Sequence, residues 1–200
     1  MPQFGWHINI AKCIGCRGCE AACKQEFNLE AGVQRRRVIL QEGFTGSGGS
    51  EQPFMRYITM SCNHCANPAC VPACPTAALT KSATTGLVSL DESKCNGCKR
   101  CMAGCPYGAI QYNEETKKVD KCTGCGHRLD NLSLPAEKRA PACVITCSSY
   151  ALRFSKDLTT IDGGAFGEAT KTTAPPTGYS DISDPTYTNP SVRFSNKRTD

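Results

Sequence analysis

The residues of this sequence that could do chemistry are its cysteines, and their spacing is regular. There are 16 cysteines among 200 residues, and each of them belongs to one of four groups of four. Three groups are compact and one is stretched: Cys13, Cys16, Cys19 and Cys23; Cys62, Cys65, Cys70 and Cys74; Cys95, Cys98, Cys101 and Cys105; and Cys122, Cys125, Cys143 and Cys147. Thiols packed this densely in the sequence predict either a disulfide framework or metal centres.

Three kinds of site compete for these thiols. A disulfide framework needs an oxidising compartment and usually spreads its cysteines, whereas cysteines two residues apart seldom bond to each other. A zinc site prefers two C-x2-C pairs separated by a dozen or more residues, and only the stretched fourth group has that pattern. Iron–sulfur clusters account for all four groups, so they are the favoured interpretation, with zinc in the fourth group as an alternative.

The first group, CIGCRGCEAAC, has the spacing of a cubane-binding loop. In C-x2-C-x2-C-x3-C, three thiolates two residues apart surround one [4Fe–4S] cluster, and a short helix carries the fourth thiol to a different cluster. This explains why the last spacing, before Cys23, differs from the others. Four complete groups with no cysteine left over predict four [4Fe–4S] clusters.

The fourth cysteines imply that the groups exchange ligands in pairs. The second and third groups are close in sequence and each ends in Cys-Pro, so they are expected to pair; the first and fourth groups then pair across the sequence. The predicted ligand sets are set a, Cys13, Cys16, Cys19 and Cys147; set b, Cys23, Cys122, Cys125 and Cys143; set c, Cys62, Cys65, Cys70 and Cys105; and set d, Cys74, Cys95, Cys98 and Cys101.

Short elements must position these loops. The segments FGWHIN and GLVSL predict strands just before two of the loops, and PTAAL and YGAIQY predict return strands after two others. Helices are expected near residues 17–25, 67–73 and 99–104, where Pro75 and Pro106 end the last two. Residues 62–80 and 95–112 therefore resemble the two halves of an internal repeat.

The predicted fold class is α+β, with two bacterial dicluster-ferredoxin-like modules and an extended C-terminal tail. We expect residues 1–40 and 113–155 to form the first module, 54–112 the second, and 41–53 a Gly/Ser-rich loop. Residues 156–200 have too few apolar side chains for a core of their own, so this tail is expected either to be disordered or to run over a partner. Its aromatic side chains are candidate partner anchors: Phe166, Tyr179, Tyr187 and Phe194.

Charge and motifs exclude several functions. The formal charge is +5, but sixteen thiolates and four doubly positive cluster cores would make it −3, so the sequence does not predict nucleic-acid binding. No apolar run is long enough to span a membrane, and the first 30 residues show neither a secretory nor a twin-Arg leader. There is no Ser-His-Asp set and no G-x-G-x-x-G loop. We therefore expect an electron conductor that is not catalytic alone.

Other residues near the loops are predicted to tune the clusters. His64 and His127 are expected to be supporting or surface residues, because each cysteine group is already complete. Trp6 either packs in the core or lies on an electron path. Basic residues that flank the loops either raise cluster potentials or are simply solvated: Lys12, Arg17, Lys94, Lys99, Arg100 and Lys121.

The motif order resembles a known family. SCNHCANPACVPACPTAAL, GCKRCMAGCPYGAIQYN and DKCTGCGHRL are similar to the four-cluster electron-transfer subunit of molybdopterin oxidoreductases, and most similar to that of dimethyl sulfoxide reductase. The resemblance covers roughly residues 3–155. It implies electron relay between a catalytic molybdenum or tungsten subunit and a quinol-linked membrane anchor, with the first and fourth groups nearer the pterin.

The resemblance also implies a location. Such complexes can face the periplasm when a partner carries the twin-Arg signal, so a peripheral membrane complex on the periplasmic face is expected, with the cytoplasmic face as the alternative. The alternative function is a free-standing polyferredoxin, or an electron-transfer subunit of a hydrogenase or tungsten enzyme.

Overall fold

The computed structural model describes residues 3–45, 51–158 and 188–195. In this part of the chain the strands are β1 (Gly5–Asn9), β2 (Arg36–Thr45), β3 (Gln52–Ser61), β4 (Leu79–Lys81), β5 (Val88–Leu90), β6 (Gln111–Asn113), β7 (Lys118–Asp120), β8 (Leu152–Ser155) and β9 (Val192–Ser195). The α-helices are α1 (Gly18–Phe27), α2 (Arg100–Ala103), α3 (Gly126–Leu129) and α4 (Ala142–Ile145). Small sheets and a few short helices confirm the predicted α+β class.

The first and last described strands share one sheet, in the order β8-β1-β9. Strand β1 pairs antiparallel with β8 and parallel with β9. All five residues of β1 are buried, because this central strand has neighbours on both edges and is covered on both faces. Trp6 and Ile8 pack in one core with Leu152 and Phe194.

Strands β2 and β3 form a long antiparallel hairpin. The pairing runs from Arg36 opposite Ser61 to Thr45 opposite Gln52. Regular pairing therefore reaches into both ends of the predicted loop 41–53, whose central residues 46–50 lie outside the described part of the chain. Cross-strand hydrogen bonds extend the strands here despite the glycine at position 43.

Two short hairpins, β4–β5 and β6–β7, form two separate two-stranded sheets. Each begins near the end of one half of the predicted repeat, residues 62–80 and 95–112. Their side chains share a second core, which includes Leu79, Val88, Ile110 and Val119. Gln111 pairs with Asp120 across β6 and β7, so the predicted module boundary between residues 112 and 113 falls inside a hairpin.

Two of the three predicted helices are confirmed, as α1 and α2. The third prediction, over residues 67–73, was wrong, because this segment consists of turns. The Val71 amide donates to the Pro68 carbonyl at 3.1 Å and the Cys74 amide donates to the Val71 carbonyl at 3.1 Å. Pro72 has no N–H to continue a helical ladder, so only single turns form.

Within the described part of the tail, β9 lies in the protein's own sheet. Phe194, a predicted partner anchor, is 3% exposed in the first core, so that prediction was wrong. Sequence alone could not show that β1 needed a second neighbour. The other predicted anchors lie outside the described residues: Phe166, Tyr179 and Tyr187.

No described helix has both the length and the apolar character that crossing a membrane requires.

Candidate iron–sulfur cluster sites

Each cysteine loop turns through the left-handed region two residues after its first cysteine. Gly15, Gly97 and Gly124 have φ of 70°, 70° and 72°, and His64 takes the same position with φ of 43°. A left-handed residue next to a right-handed one turns successive backbone N–H groups toward the same concave anion site. This arrangement is found at many iron–sulfur clusters. All four loops thus have the backbone shape that suits an anionic, sulfur-rich cluster.

Left-handed residues also join the loops to their helices. Arg17 precedes α1, Lys99 precedes α2 and Cys125 precedes α3, with φ of 58°, 61° and 53°. A non-glycine residue in this conformation costs about 1–3 kcal/mol and is concentrated at functional sites. In α1 and α2 the turn places the third cysteine of the group, Cys19 or Cys101, at the second residue of the helix.

The structure brings together the cysteines of sets a and b through helices α1 and α4, which pack against each other. Burial raises the pKa of Cys13, and so do the charges of three neighbours: Cys19, Cys147 and Cys16. Burial also raises the pKa of Cys23, as do the charges of Cys122, Cys143 and Cys125. In both cases the neighbours are the other three members of the predicted set.

The cysteines of sets c and d line two separate cavities. Cys62, Cys65, Cys70 and Cys105 line one cavity with Val88 and Ile110. Cys74, Cys95, Cys98 and Cys101 line the other with Leu79 and Val119. Burial and the charges of Cys62, Cys105 and Cys65 raise the pKa of Cys70 to about 12. Burial and the charges of Cys74, Cys98 and Cys95 raise the pKa of Cys101.

The chemistry of these groups fits a cluster better than free thiols. Mutual repulsion and burial favour the protonated thiol, and coordination to iron would remove this cost because iron stabilises the thiolate. All sixteen cysteines lie in the described residues and are free of disulfides. Among those residues, no three cysteine, histidine or acidic side chains converge as ligands of one metal ion. A cubane does not need such convergence, because each thiolate binds a different iron. The assignment of ligands stays a prediction.

His64 is a buried neighbour of set c. The Val88 amide donates to its Nδ1 at 3.0 Å, and its ring stacks on Trp6 with centroids 5.2 Å apart. Burial lowers the pKa of His64, and the positive charges of Lys121 and Lys81 lower it further. The ring is therefore neutral and supports the loop, which agrees with its predicted role.

His127 lies in a different environment. Its Nε2 is 2.8 Å from Glu26 Oε1, and its side chain is 52% exposed. The ring also packs edge-on against Phe27. These contacts agree with the predicted surface role.

Sequence analysis missed two hydroxyl groups that approach the cysteines. Thr59 Oγ1 lies 3.4 Å from Cys19 Sγ. Burial raises the pKa of Cys65 to about 11, although a hydrogen bond with Thr188 lowers it. Thr188 is held by Tyr107, with 2.5 Å between the two hydroxyl oxygens. Neither threonine lies beside a cysteine in sequence, so no local pattern could have identified them.

Comparison with family models defines the class of the protein. Residues 53–157 match the 4Fe-4S dicluster domain and residues 10–28 match a 4Fe-4S binding domain. The protein is therefore an iron–sulfur protein of [4Fe–4S] dicluster type.

Curated relatives identify the family more closely. The sequence is 39% identical over 156 residues to the B component of anaerobic dimethyl sulfoxide reductase of Escherichia coli strain K12, covering 76% of this chain and 73% of the relative. It is 39% identical over 145 residues to the B component of tetrathionate reductase of Salmonella typhimurium, covering 72% and 54%. It is 33% identical over 168 residues to the B component of sulfite dehydrogenase of Allochromatium vinosum, covering 77% and 69%.

This protein belongs to the family of iron–sulfur electron-transfer subunits of molybdenum oxidoreductases that includes the dimethyl sulfoxide reductase component. As a member of that family it transfers electrons and is not itself the catalyst. The resemblance inferred from the cysteine motifs is thereby confirmed.

Proposed function

We propose that this chain holds four [4Fe–4S] clusters and relays single electrons between a catalytic molybdopterin subunit and a quinol-linked membrane anchor. The clusters supply one-electron redox chemistry, whereas the protein supplies ligands, spacing and insulation from water. The proposed ligand sets are those defined above as sets a, b, c and d. The relatives are named as single components of reductases and of a dehydrogenase, which supports a multi-subunit complex.

One observation carries this proposal: the fourth cysteine of each group lies among the first three of another group. Cys105 lines the set c cavity with the first three cysteines of the second group, and Cys74 lines the set d cavity with the first three cysteines of the third group. Cys147 is close enough to Cys13 for its charge to raise the pKa of that thiol. This reciprocal arrangement is the one expected when two loops exchange ligands.

Contacts between the sets support a linear order, a-b-c-d. Cys62 of set c and Cys122 of set b are buried in one small cluster with Ala109. Set b shares α1 with set a, since Cys19 of set a and Cys23 of set b both lie on that helix. Sets b and c are therefore the middle pair.

Exposure supports the same order. The exposed cysteines are Cys16 of set a and Cys98 of set d, whereas all four cysteines of set b are buried. Electrons enter and leave a relay at its ends, so accessible terminal sites and an enclosed middle suit conduction between two partners.

The surfaces near the two ends differ in chemistry. Ile14, Ile145 and Tyr150 are exposed by 59%, 43% and 72% near the set a cysteines in sequence. A contiguous exposed apolar patch marks a protein interface, and we propose that these three side chains form one beside set a. At the other end, Lys99 and Arg100 follow Cys98 and are exposed. We assign the apolar end to the catalytic subunit and the basic end to the membrane-anchor side.

The proposed modules follow the pairing of the cysteine groups. The sequence predicts that the first module comprises residues 1–40 and 113–155 and that the second comprises residues 54–112. Because Val119 packs with Ile110 and Leu79, we assign the whole β6–β7 hairpin to the second module.

We further propose a peripheral membrane complex on the periplasmic face, exported with a partner that carries a twin-Arg signal. Protease accessibility of the protein in spheroplasts tests the side: protection by the inner membrane would place it in the cytoplasm.

Iron and acid-labile sulfide should be measured on the anaerobically purified complex, together with EPR spectra during reductive titration. Four [4Fe–4S] cores require about sixteen iron atoms per chain. That content with magnetically coupled cubane signals supports the proposal. About twelve iron atoms with one zinc would overturn it, because one ligand set would then hold a structural ion.

A further inference from the structure

Lys121 is a buried cation at the junction between the two proposed modules. Its side chain is among the largest that are fully buried, with the residue 2% exposed. Its ammonium group donates to the Val88 carbonyl at 2.5 Å and to the Cys122 carbonyl at 2.6 Å. Val88 belongs to the second module and Cys122 to set b, so this one group ties the two modules together.

No carboxylate in the described part of the chain forms an ion pair with Lys121. The adjacent acid, Asp120, is held by Arg35 through hydrogen bonds of 2.6 and 3.1 Å. A buried charge without a counter-charge is strongly destabilising. An anion must therefore lie close to Lys121 in the assembled protein.

The anion that the surroundings indicate is the sulfur-rich group held by set c, together with that of set b. Val88, whose carbonyl accepts from Lys121, lines the cavity of set c, and Cys122, whose carbonyl also accepts from Lys121, belongs to set b. Cys62 and Cys122 are packed together, so Lys121 faces both middle sites.

Arg36 is a second buried cation of the same kind. It is 3% exposed, and its guanidinium donates to Thr59 Oγ1 at 3.0 Å and Ser61 Oγ at 2.8 Å. Neither partner is charged. Thr59 Oγ1 also lies 3.4 Å from Cys19 Sγ, and Arg36 lines one cavity with Cys23. These cysteines belong to sets a and b, so Arg36 lies at the junction between those sets.

We propose that Arg36 and Lys121 are positioning residues that set the reduction potentials of the clusters on either side of them. Arg36 favours reduction at sets a and b, and Lys121 favours reduction at sets b and c. The inference rests on the proposed ligand sets. A reduced cluster carries one more negative charge than an oxidised one, so a nearby cation raises the reduction potential. Inside the protein this attraction is little screened, in contrast to that of a solvated surface charge.

Lys94 provides a matched control on the surface. It precedes Cys95 of set d, its side chain is 59% exposed and it pairs with Asp91 at 3.2 Å. Its removal changes the formal charge beside a cluster loop by the same amount as removal of Lys121. Because Lys94 is solvated and already paired, its loss should leave all midpoint potentials unchanged.

The test is a potentiometric EPR titration of the intact complex carrying Lys121→Gln, Arg36→Gln, Lys94→Gln or the wild-type chain. Lys121→Gln should lower two of the four midpoint potentials, each by a tenfold or larger loss in the reduction equilibrium, about 59 mV per tenfold for one electron. Arg36→Gln should also lower two midpoint potentials. One of these, that of set b, should be among the two that Lys121→Gln lowers. Lys121→Arg, which keeps the charge, should recover most of the shift.

The possible outcomes distinguish a failure of this inference from a failure of the proposed function. Four unchanged midpoints in both Gln variants, with full iron content, would overturn the inference and leave the ligand sets standing. Equal shifts of all four midpoints would also overturn it, because a local effect must spare set d. If Lys121→Gln does not assemble, Arg36→Gln decides by the same criterion. Wild-type protein with fewer than four midpoints would instead overturn the proposed function.

Discussion

His7 and Ser195 are joined by a buried hydrogen bond of 2.9 Å between Nε2 and Oγ, across 188 residues of sequence. This bond accompanies the parallel pairing of β1 with β9. The strand supplied by the tail is thus part of the core around Trp6. The tail sequence did not predict this, because it has too few apolar side chains to form a core of its own.

The first prediction concerns this returning strand. Phe194→Ala should lower the free energy of unfolding by about 3–5 kcal/mol, the usual cost of deleting a buried phenylalanine side chain. The cost arises because Phe194 packs in the first core. The measurement is the guanidinium concentration at which the cluster-loaded protein loses its visible absorbance.

Phe44→Ala is the matched control, since Phe44 is 69% exposed. Phe44→Ala should change the guanidinium midpoint of unfolding little. Equal stability of the two variants would mean that β9 adds nothing to the core.

A second prediction concerns the backbone of a cluster loop. Gly97 has φ of 70°, and a Cβ atom at this position would lie 2.2 Å from the Lys117 carbonyl oxygen. Gly97→Ala must therefore move the loop or the β6–β7 turn, and the site of set d should lose its iron first. Iron content should fall from about sixteen toward about twelve atoms per chain, four for each lost [4Fe–4S] core.

Gly126→Ala is the appropriate control for this change. Gly126 begins α3, and a Cβ atom there meets nothing within 4 Å. Alanine is favoured over glycine in a helix, so iron content and stability should be kept or improved. Unchanged iron content in Gly97→Ala would contradict the prediction.

The third prediction concerns the ion pair between Arg35 and Asp120, whose side chains are 9% and 10% exposed. Asp120→Asn should cost about 3–5 kcal/mol of unfolding free energy, because it leaves the buried guanidinium without its counter-charge. The substitution removes the tie between the segment before β2 and strand β7. The change can be followed as the shift in thermal unfolding of the anaerobic protein.

Glu114→Gln breaks an exposed pair with Lys117, in which both side chains are at least 70% exposed. Such pairs contribute about 0–1 kcal/mol. A comparable loss of stability in the two variants would show that burial of the Arg35 pair is of no consequence.

Elements next to the cysteine motifs could be predicted from sequence, because local spacing dictates them. Strand β1, helix α1 and the hairpin β4–β5 lie where alternation and the loop pattern indicate. By contrast, β9 was missed because its pairing is non-local and its burial is decided by β1. The turns at residues 67–73 were mistaken for a helix because cysteine spacing outweighed Pro72 in the prediction.

In the candidate site, too, some residues could be predicted from sequence and others could not. All sixteen cysteines could be chosen from sequence, since their types and intervals are distinctive. Lys121 and Lys94 each precede a cysteine and look alike in sequence, yet one is 2% exposed and the other has an exposed, paired side chain. Burial depends on tertiary packing, so no local pattern could separate a cation buried at a module junction from a solvated one.

The last prediction tests the exchange of ligands between sets c and d. Cys105→Ser should perturb the cluster held by Cys62, Cys65 and Cys70, and leave the one held by its sequence neighbours intact. The reason is positional, because Cys105 lines the set c cavity. Serine is a weaker iron ligand than thiolate, so conversion of one cubane signal to a three-iron signal, or loss of about four iron atoms, is expected in EPR and metal analysis.

Cys74→Ser provides the reciprocal experiment, since Cys74 lines the cavity of set d. It should alter a different signal from the one altered by Cys105→Ser, and the double variant should show both changes. If Cys105→Ser instead altered the same signal as Cys98→Ser, the third group would keep its own fourth cysteine. The exchange of ligands, and with it the order a-b-c-d, would then be wrong.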